Sequence, residues 1–107
     1  MRRVLIAEPD ADVRELLELT VERLGYEPVA AAEAADVDAV LLEPGSAVGH
    51  SLLRRLGDDG PPVICLSIYP REHGLEPAQS VAYLMKPAAA ADIAEVLRGV
   101  LAVQPHH

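Results

Sequence analysis

The chain has 107 residues, a length that fits one domain with a single modest core. Nine basic residues against seventeen acidic ones give a net charge of −8, which argues against nucleic acid and an anionic membrane surface as direct partners. The sequence has no phenylalanine or tryptophan and only three tyrosines, so it offers no platform on which nucleic-acid bases could stack. No apolar run approaches the ~18 residues that a membrane-spanning helix needs.

Short apolar runs alternate with stretches of helical periodicity, a pattern typical of a parallel α/β sheet. Five strands are predicted, over residues 4–7, 27–31, 38–43, 62–67 and 81–85. Helices are predicted over residues 10–24, 46–56 and 92–102. Pro28 cannot donate a hydrogen bond to a neighbouring strand, so the second strand is expected at an edge of the sheet.

Residues 1–103 are expected to form the single domain, and residues 104–107 a separate tail. The two final histidines of the tail are either native sequence or the remnant of a tag. Cys65 is the only cysteine, so the chain cannot form an internal disulfide, and a mid-strand position predicts a buried core thiol. With no sign of an oxidising compartment, the expected location is the cytoplasm.

Charged and hydroxyl side chains follow the predicted strands at the point where each strand ends. Glu8 and Asp10 come after the first strand and Glu43 ends the third. Ser67 ends the fourth strand and Lys86 follows the fifth. Because parallel strands end at the same edge of a sheet, where such folds bind ligands, these side chains are expected to converge. Isolated surface charges pair only weakly, so the hypothesis depends on their joint placement.

In order and spacing these segments resemble the receiver domain of two-component response regulators, the CheY-like family. The resemblance is carried by VLIAEPD at 4–10, DAVLLE at 38–43, PVICLS at 62–67 and YLMKP at 83–87. It spans essentially the whole chain. It implies a flavodoxin-like, three-layer α/β/α sandwich with a five-stranded parallel sheet in the order 2-1-3-4-5.

The resemblance also implies a role for each of these residues. In receiver domains an aspartate takes a phosphoryl group from a histidine kinase, and a magnesium ion held by acidic side chains neutralises the added charge. Glu43 stands at the phosphoacceptor position, and Glu8 and Asp10 represent the acidic pocket. The positions that contact the phosphate or switch with it are occupied by Ser67, Tyr83 and Lys86.

Two departures from the family pattern predict that the phosphorylation chemistry is damaged. Glu43 is one methylene longer than aspartate, which moves its carboxylate about 1.5 Å outward. Its permanent charge near Lys86 either imitates the phosphorylated form weakly or makes a structural ion pair. Pro9 stands where the second acid of the magnesium pair belongs, and proline has no side-chain oxygen. No metal, Mg²⁺ included, and no cofactor are therefore expected.

The crossovers between strands add a second departure. Only six residues, 32–37, separate the second and third strands, whereas a parallel crossover takes at least about 10–12. The second helix of the family is therefore expected to be missing or shortened. Gly74 and Pro77 interrupt residues 69–80, which predicts a degenerate fourth helix. Thin cover over the sheet predicts an apolar surface near residues 28–40 that binds a protein partner or a second copy of the chain.

The sequence thus predicts an atypical receiver domain that acts in two-component or phosphorelay signalling as a protein-interaction module, without phosphorylation and without an enzymatic activity. The alternative is a working receiver that accepts a phosphoryl group on a carboxylate of the acidic pocket, with Mg²⁺. A small enzyme on the same scaffold has no nucleophile–base pair to support it. A fragment of a longer regulator is a further alternative.

Overall fold

The computed structural model describes residues 2–30, 36–43, 45–56, 60–67, 80–86 and 89–102. The strands are β1 (Arg3–Ala7), β2 (Glu27–Ala30), β3 (Ala39–Leu42), β4 (Val63–Ser67) and β5 (Ser80–Met85). The helices are α1 (Ala11–Arg23), α2 (Ala47–Leu56) and α3 (Ala90–Ala102). None of these three helices has the length and apolar character that crossing a membrane requires.

All five strands lie parallel in one sheet, in the order β2-β1-β3-β4-β5. This is the predicted topology. Val4 of β1 pairs with Pro28, which places the proline in the edge strand β2 as its missing N–H requires. From β1 the chain first moves to β2 on one side and then returns to β3 on the other. The carboxyl ends of β1 and β3 therefore form the switch point at which open α/β sheets bind ligands.

Two apolar layers cover the sheet, because successive residues of a strand point to opposite faces. Leu17 of α1 and Leu97 of α3 pack on one face, against residues such as Leu41. Leu52 of α2 packs on the other face, against residues such as Val40. All four residues of β3 are buried, which explains why this strand is a continuous apolar run and does not alternate with polar residues.

Helix α1 begins and ends where its sequence signals predict. Asp10 is the N-cap, and its Oδ1 accepts hydrogen bonds from the N–H groups of Asp12 (2.9 Å) and Val13 (3.2 Å). Leu24 is the C-cap. Gly25 follows it with φ +86°, a left-handed conformation that glycine adopts without steric conflict. The side chain of Asp10 is thus used by the helix that follows β1.

The two crossovers predicted to be shortened or degenerate fall largely outside the described residues. β2 ends at Ala30 and β3 begins at Ala39, and residues 31–35 between them are not described. Residues 68–79, before β5, and the tail 104–107 also lie outside the described ranges. In the described part of the chain three helices accompany five strands, in agreement with the reduced number of helices that the sequence predicts.

The exposed large apolar side chains of the described residues lie on α1 and at the end of β5. They are Leu16, Leu19 and Met85. In β2, by contrast, Val29 is buried. The described residues between 28 and 40 thus carry no exposed large aliphatic side chain, so the predicted apolar surface beside β2 is not found among them.

Two neighbouring leucines of α1 allow a matched test of this packing. Leu17 is fully buried and Leu16 is 40% exposed, so Leu17→Ala leaves a cavity and Leu16→Ala does not. We expect Leu17→Ala to lower the free energy of unfolding by about 2–5 kcal/mol. Leu16→Ala should change it by about 0.5 kcal/mol or less. Urea unfolding followed by circular dichroism measures both, and equal losses would contradict the placement of α1.

Candidate functional site

The carboxyl ends of β1, β3 and β5 border an open cleft of about 390 Å³. Its walls are formed by Glu8, Pro9, Asp10, Glu43, Gly45, Ser46 and Lys86. The structure therefore brings together Glu8, Asp10, Glu43 and Lys86, the four charged residues that the sequence places after different strands. Since these residues are up to 78 positions apart in the chain (8 to 86), it is the parallel sheet that assembles them.

Lys86 lies between the two glutamates and contacts both. Its Nζ is 2.6 Å from Oε1 of Glu8 and 3.0 Å from Oε2 of Glu43. The side chain of Glu8 is only 2% exposed, that of Glu43 12% and that of Lys86 16%, so solvent screens these ion pairs weakly. Within the described residues, neither of the two carboxylate oxygens has another hydrogen-bond donor. We call Glu8, Lys86 and Glu43 the charge triad.

Glu8 is held in this position from two directions. Its second carboxylate oxygen, Oε2, accepts a hydrogen bond from the N–H of Asp10 at 3.1 Å. Its carbonyl oxygen accepts a hydrogen bond from Nη1 of Arg14, on the first turns of α1, at 3.2 Å. Both carboxylate oxygens of this buried acid are therefore paired, one by Lys86 and one by the backbone, as burial of a charge requires.

Lys86 is placed by the last hydrogen bond of the β4–β5 pair. Its N–H donates to the carbonyl oxygen of Ser67 at 2.8 Å, one residue beyond the end of β5. Ser67 is itself completely buried at the end of β4. The backbone of Lys86 is thus fixed to the sheet, and its long side chain reaches Glu8, which directly follows β1.

Glu43 is anchored through its backbone on both sides. Its N–H donates to the carbonyl oxygen of Ala7 at 3.1 Å, which continues the pairing of β3 with β1. Its carbonyl oxygen accepts hydrogen bonds from the N–H of Ser46 at 3.2 Å and from its hydroxyl at 2.8 Å. The same hydroxyl accepts a hydrogen bond from the N–H of Gly49 at 3.0 Å, which caps α2.

The two carboxylates control the charge state of the lysine. Partial burial acts to lower the pKa of Lys86, but hydrogen bonds and charge attraction from Glu8 and Glu43 outweigh it, so the pKa is raised above the usual lysine value. The ammonium is therefore protonated across the physiological range. One ammonium between two carboxylates leaves the charge triad with a formal charge of −1.

The residues present do not fit the magnesium site that the receiver resemblance implies. Lys86 occupies the space between the two carboxylates, Pro9 has no side-chain oxygen, and Oδ1 of Asp10 caps α1. Among the described residues no three His, Cys, Asp or Glu side chains come together as a metal site. Mg²⁺ prefers near-octahedral oxygen ligands, which this arrangement of charges does not supply.

The other two predicted site residues lie near the cleft but do not form its walls. Ser67 is buried beneath Lys86, and Tyr83 is half-buried on β5 beside Cys65. Tyr83 packs against the apolar layer that includes Leu52 of α2. Ser67 is the last residue of β4 and Tyr83 lies two residues before the end of β5, and the switching role of both stays a prediction.

Three residues that shape the site have little or no signal in the sequence. Arg14 holds the backbone of Glu8, whereas Ser46 and Gly49 hold the backbone of Glu43. The only signal for Ser46 is its position at the start of a predicted helix, where serine is a common cap. Neither Arg14 nor Gly49 carries a local signal, because their roles depend on contacts that form only in the folded sheet.

No protein-family model and no curated protein matches this chain, but solved structures match its fold. A response regulator receiver protein from Burkholderia phymatum superposes with a TM-score of 0.79 over 100% of both chains, at 22% sequence identity. The response regulator protein TrrA from Thermotoga maritima, in complex with Mg²⁺ and BeF, superposes with a TM-score of 0.74 at 23% identity. That match covers 94% of this chain and 100% of TrrA.

A third similar structure comes from a family of redox sensors in the streptococci that evolved from two-component response regulators. It superposes with a TM-score of 0.75 at 16% identity, over 95% of this chain and 52% of that chain. The chain therefore has the flavodoxin-like fold of response-regulator receiver domains. The resemblance predicted from the sequence is confirmed for the fold.

Removing the cation of the charge triad should destabilise the fold. Lys86→Met keeps the length of the side chain but leaves two carboxylates facing each other without a counter-ion. We expect the free energy of unfolding at pH 7 to fall by about 3 kcal/mol, the low end for a broken buried pair because the cleft opens to solvent. The triple variant that adds Glu8→Gln and Glu43→Gln to Lys86→Met should regain part of the lost free energy of unfolding, because the uncompensated charges are removed. An unchanged stability in Lys86→Met would contradict the ion pairs.

The raised pKa of Lys86 also predicts a loss of stability at alkaline pH. A lysine whose pKa is higher in the folded than in the unfolded chain stabilises the fold fully below the unfolded value, about 10.4, and ceases to do so as the pH rises through the folded value. Wild type should therefore lose stability above about pH 10 more steeply than Lys86→Met. Parallel slopes of unfolding free energy against pH would show that Lys86 is not paired.

Proposed function

We propose that this chain is a receiver-fold signalling module that binds other proteins without a phosphorylation cycle. The observation that carries the proposal is the charge triad, in which Lys86 contacts Glu8 and Glu43 at once. By the family resemblance, this lysine is the residue that would contact the oxygens of an incoming phosphoryl group. Here its ammonium already has two carboxylate partners belonging to the chain itself.

The acceptor position favours the same interpretation. Oε2 of Glu43 lies 3.0 Å from Nζ of Lys86, so attack on a phosphorus atom by this oxygen would compete with the ion pair. The triad already carries a formal charge of −1, and a phosphoryl group would add more negative charge. Without a divalent cation between the oxygens, the side chains of the site would stabilise that charge poorly.

The metal position supports the proposal in a second way. Phosphoryl transfer depends on positioning and on neutralising charge, mostly through a metal ion. In this chain the ammonium of Lys86 neutralises the acids in place of a divalent ion. We therefore propose that the domain works without Mg²⁺ and without any other cofactor, and that it has no enzymatic activity.

A permanent charge triad would also fix the sheet edge in a single arrangement. It links the ends of β1, β3 and β5 through side chains. The surrounding surface would therefore have its binding conformation without phosphorylation. Binding would then be governed by the affinity of the partner and by the concentrations of the two proteins, and not by phosphorylation. The streptococcal redox sensors show that the receiver scaffold has given rise to sensors of another kind.

The expected partner is another protein or a second copy of this chain, in the cytoplasm. A net charge of −8 disfavours nucleic acid and anionic lipid as direct partners. The single cysteine is buried and forms no disulfide within the chain, as is usual in a reducing compartment. That partner determines the pathway in which the module acts.

A variant with a restored acid pair gives the sharpest test of the proposal. Pro9→Asp with Glu43→Asp returns the aspartates of the receiver pattern to these two positions. We expect millimolar Mg²⁺, with or without beryllofluoride, to leave the Tm of wild type unchanged and to raise the Tm of the double variant, since a ligand that binds only the folded state stabilises it.

Calcium at the same concentration and ionic strength serves as the control for unspecific screening of the net charge. A saturable rise of the wild-type Tm with Mg²⁺, increased further by beryllofluoride, would overturn the proposal. That result would support the working phosphoacceptor. Failure of the double variant to respond, with wild type also unresponsive, would show that more than these two positions blocks the metal.

A further inference from the structure

Gly49 lies in the first turn of α2, where a side chain would collide with Glu43. A Cβ atom on Gly49 would overlap the carbonyl oxygen of Glu43 and lie 3.2 Å from its carbonyl carbon. It would also lie 3.0 Å from Oγ of Ser46. Gly49 does not adopt a positive φ, so glycine is not needed here for an unusual backbone conformation. Its lack of a side chain instead lets α2 approach the backbone of Glu43 closely.

This close approach acts on a residue whose backbone is already clamped. The carbonyl oxygen of Glu43 accepts two hydrogen bonds from Ser46, and Oγ of Ser46 is in turn bound by the N–H of Gly49. On the other side, the N–H of Glu43 is bound to Ala7 of β1. The first turn of α2 therefore fixes the point from which the Glu43 side chain starts.

We propose that Gly49 is a positioning residue that sets the reach of the Glu43 carboxylate to Lys86. The proposal deepens the proposed function, because it identifies what fits a glutamate, longer than the aspartate of the family, into the charge triad. Gly49 contacts the backbone of Glu43 and not that of Glu8. Glu8 is held by Asp10 and Arg14, which are separate from α2, so a change at Gly49 should disturb one arm of the triad and spare the other.

Lys86 provides a selective probe, since it is the only lysine in the chain. Protein labelled with ¹³C-lysine gives one Cε resonance, whose titration reports the protonation of this ammonium. Glu43→Gln removes one partner that raises the pKa, so it should lower the midpoint. We expect Gly49→Ala to lower the midpoint in the same direction, by at least half as much. An unchanged midpoint in a folded Gly49→Ala protein would overturn the proposal.

Gly99 supplies the matched control. It lies in α3, and a Cβ atom there would meet nothing within 4 Å. Gly99→Ala should raise the Tm, because alanine is the better helix former, and should leave the Lys86 resonance unchanged. A shift of that resonance in Gly99→Ala equal to that in Gly49→Ala would show an unspecific effect of helix composition and would overturn the proposal.

A double-mutant cycle separates positioning from packing. In a Glu43→Gln background, Gly49→Ala should have no further effect on the Lys86 midpoint, whereas additive effects would contradict the proposal. If Gly49→Ala fails to fold, Ser46→Ala removes the hydroxyl bridge without adding atoms, and it must lower the midpoint for the proposal to stand. Failure of the proposed function would appear differently, as saturable binding of Mg²⁺ by the wild-type chain.

Discussion

At the carboxyl edge of the sheet, two acidic side chains share one cation. Two carboxylates, Glu8 and Glu43, approach a single ammonium, that of Lys86, at 2.6 and 3.0 Å. Either acid without the lysine would be a largely buried negative charge, and two such acids side by side would repel each other. The presence of both acids at this edge therefore depends on Lys86.

The rest of the molecule places these three side chains with little freedom. Buried strands bring the ends of β1, β3 and β5 to one edge, and each member of the charge triad follows its strand directly. Hydrogen bonds that involve the backbone then hold each member. The N–H of Lys86 donates to the carbonyl oxygen of Ser67, the N–H of Asp10 donates to the carboxylate of Glu8, and the hydroxyl of Ser46 donates to the carbonyl oxygen of Glu43. Ion pairs are worth most when little entropy is lost in forming them, and here the backbone has already been ordered by the sheet.

The topology and most of the residues of the site could be predicted from the sequence, but for different physical reasons. Strands such as β3 are apolar throughout, and the periodicity of α1 with its cap at Asp10 is local, so both could be read directly. The meeting of Glu8 with Lys86 followed from strand order, which only the family resemblance supplied. The contact between Gly49 and Glu43 could not be foreseen, because it depends on how closely α2 approaches the end of β3.

A high-resolution structure of crystals grown in excess Mg²⁺ and beryllofluoride would decide whether the charge triad excludes a divalent ion. We expect Nζ of Lys86 to keep hydrogen-bond distance to both Glu8 and Glu43, with no divalent ion between the acids. An ordered, six-coordinate ion ligated by those two carboxylates, with the lysine turned toward a fluoride on Glu43, would contradict it.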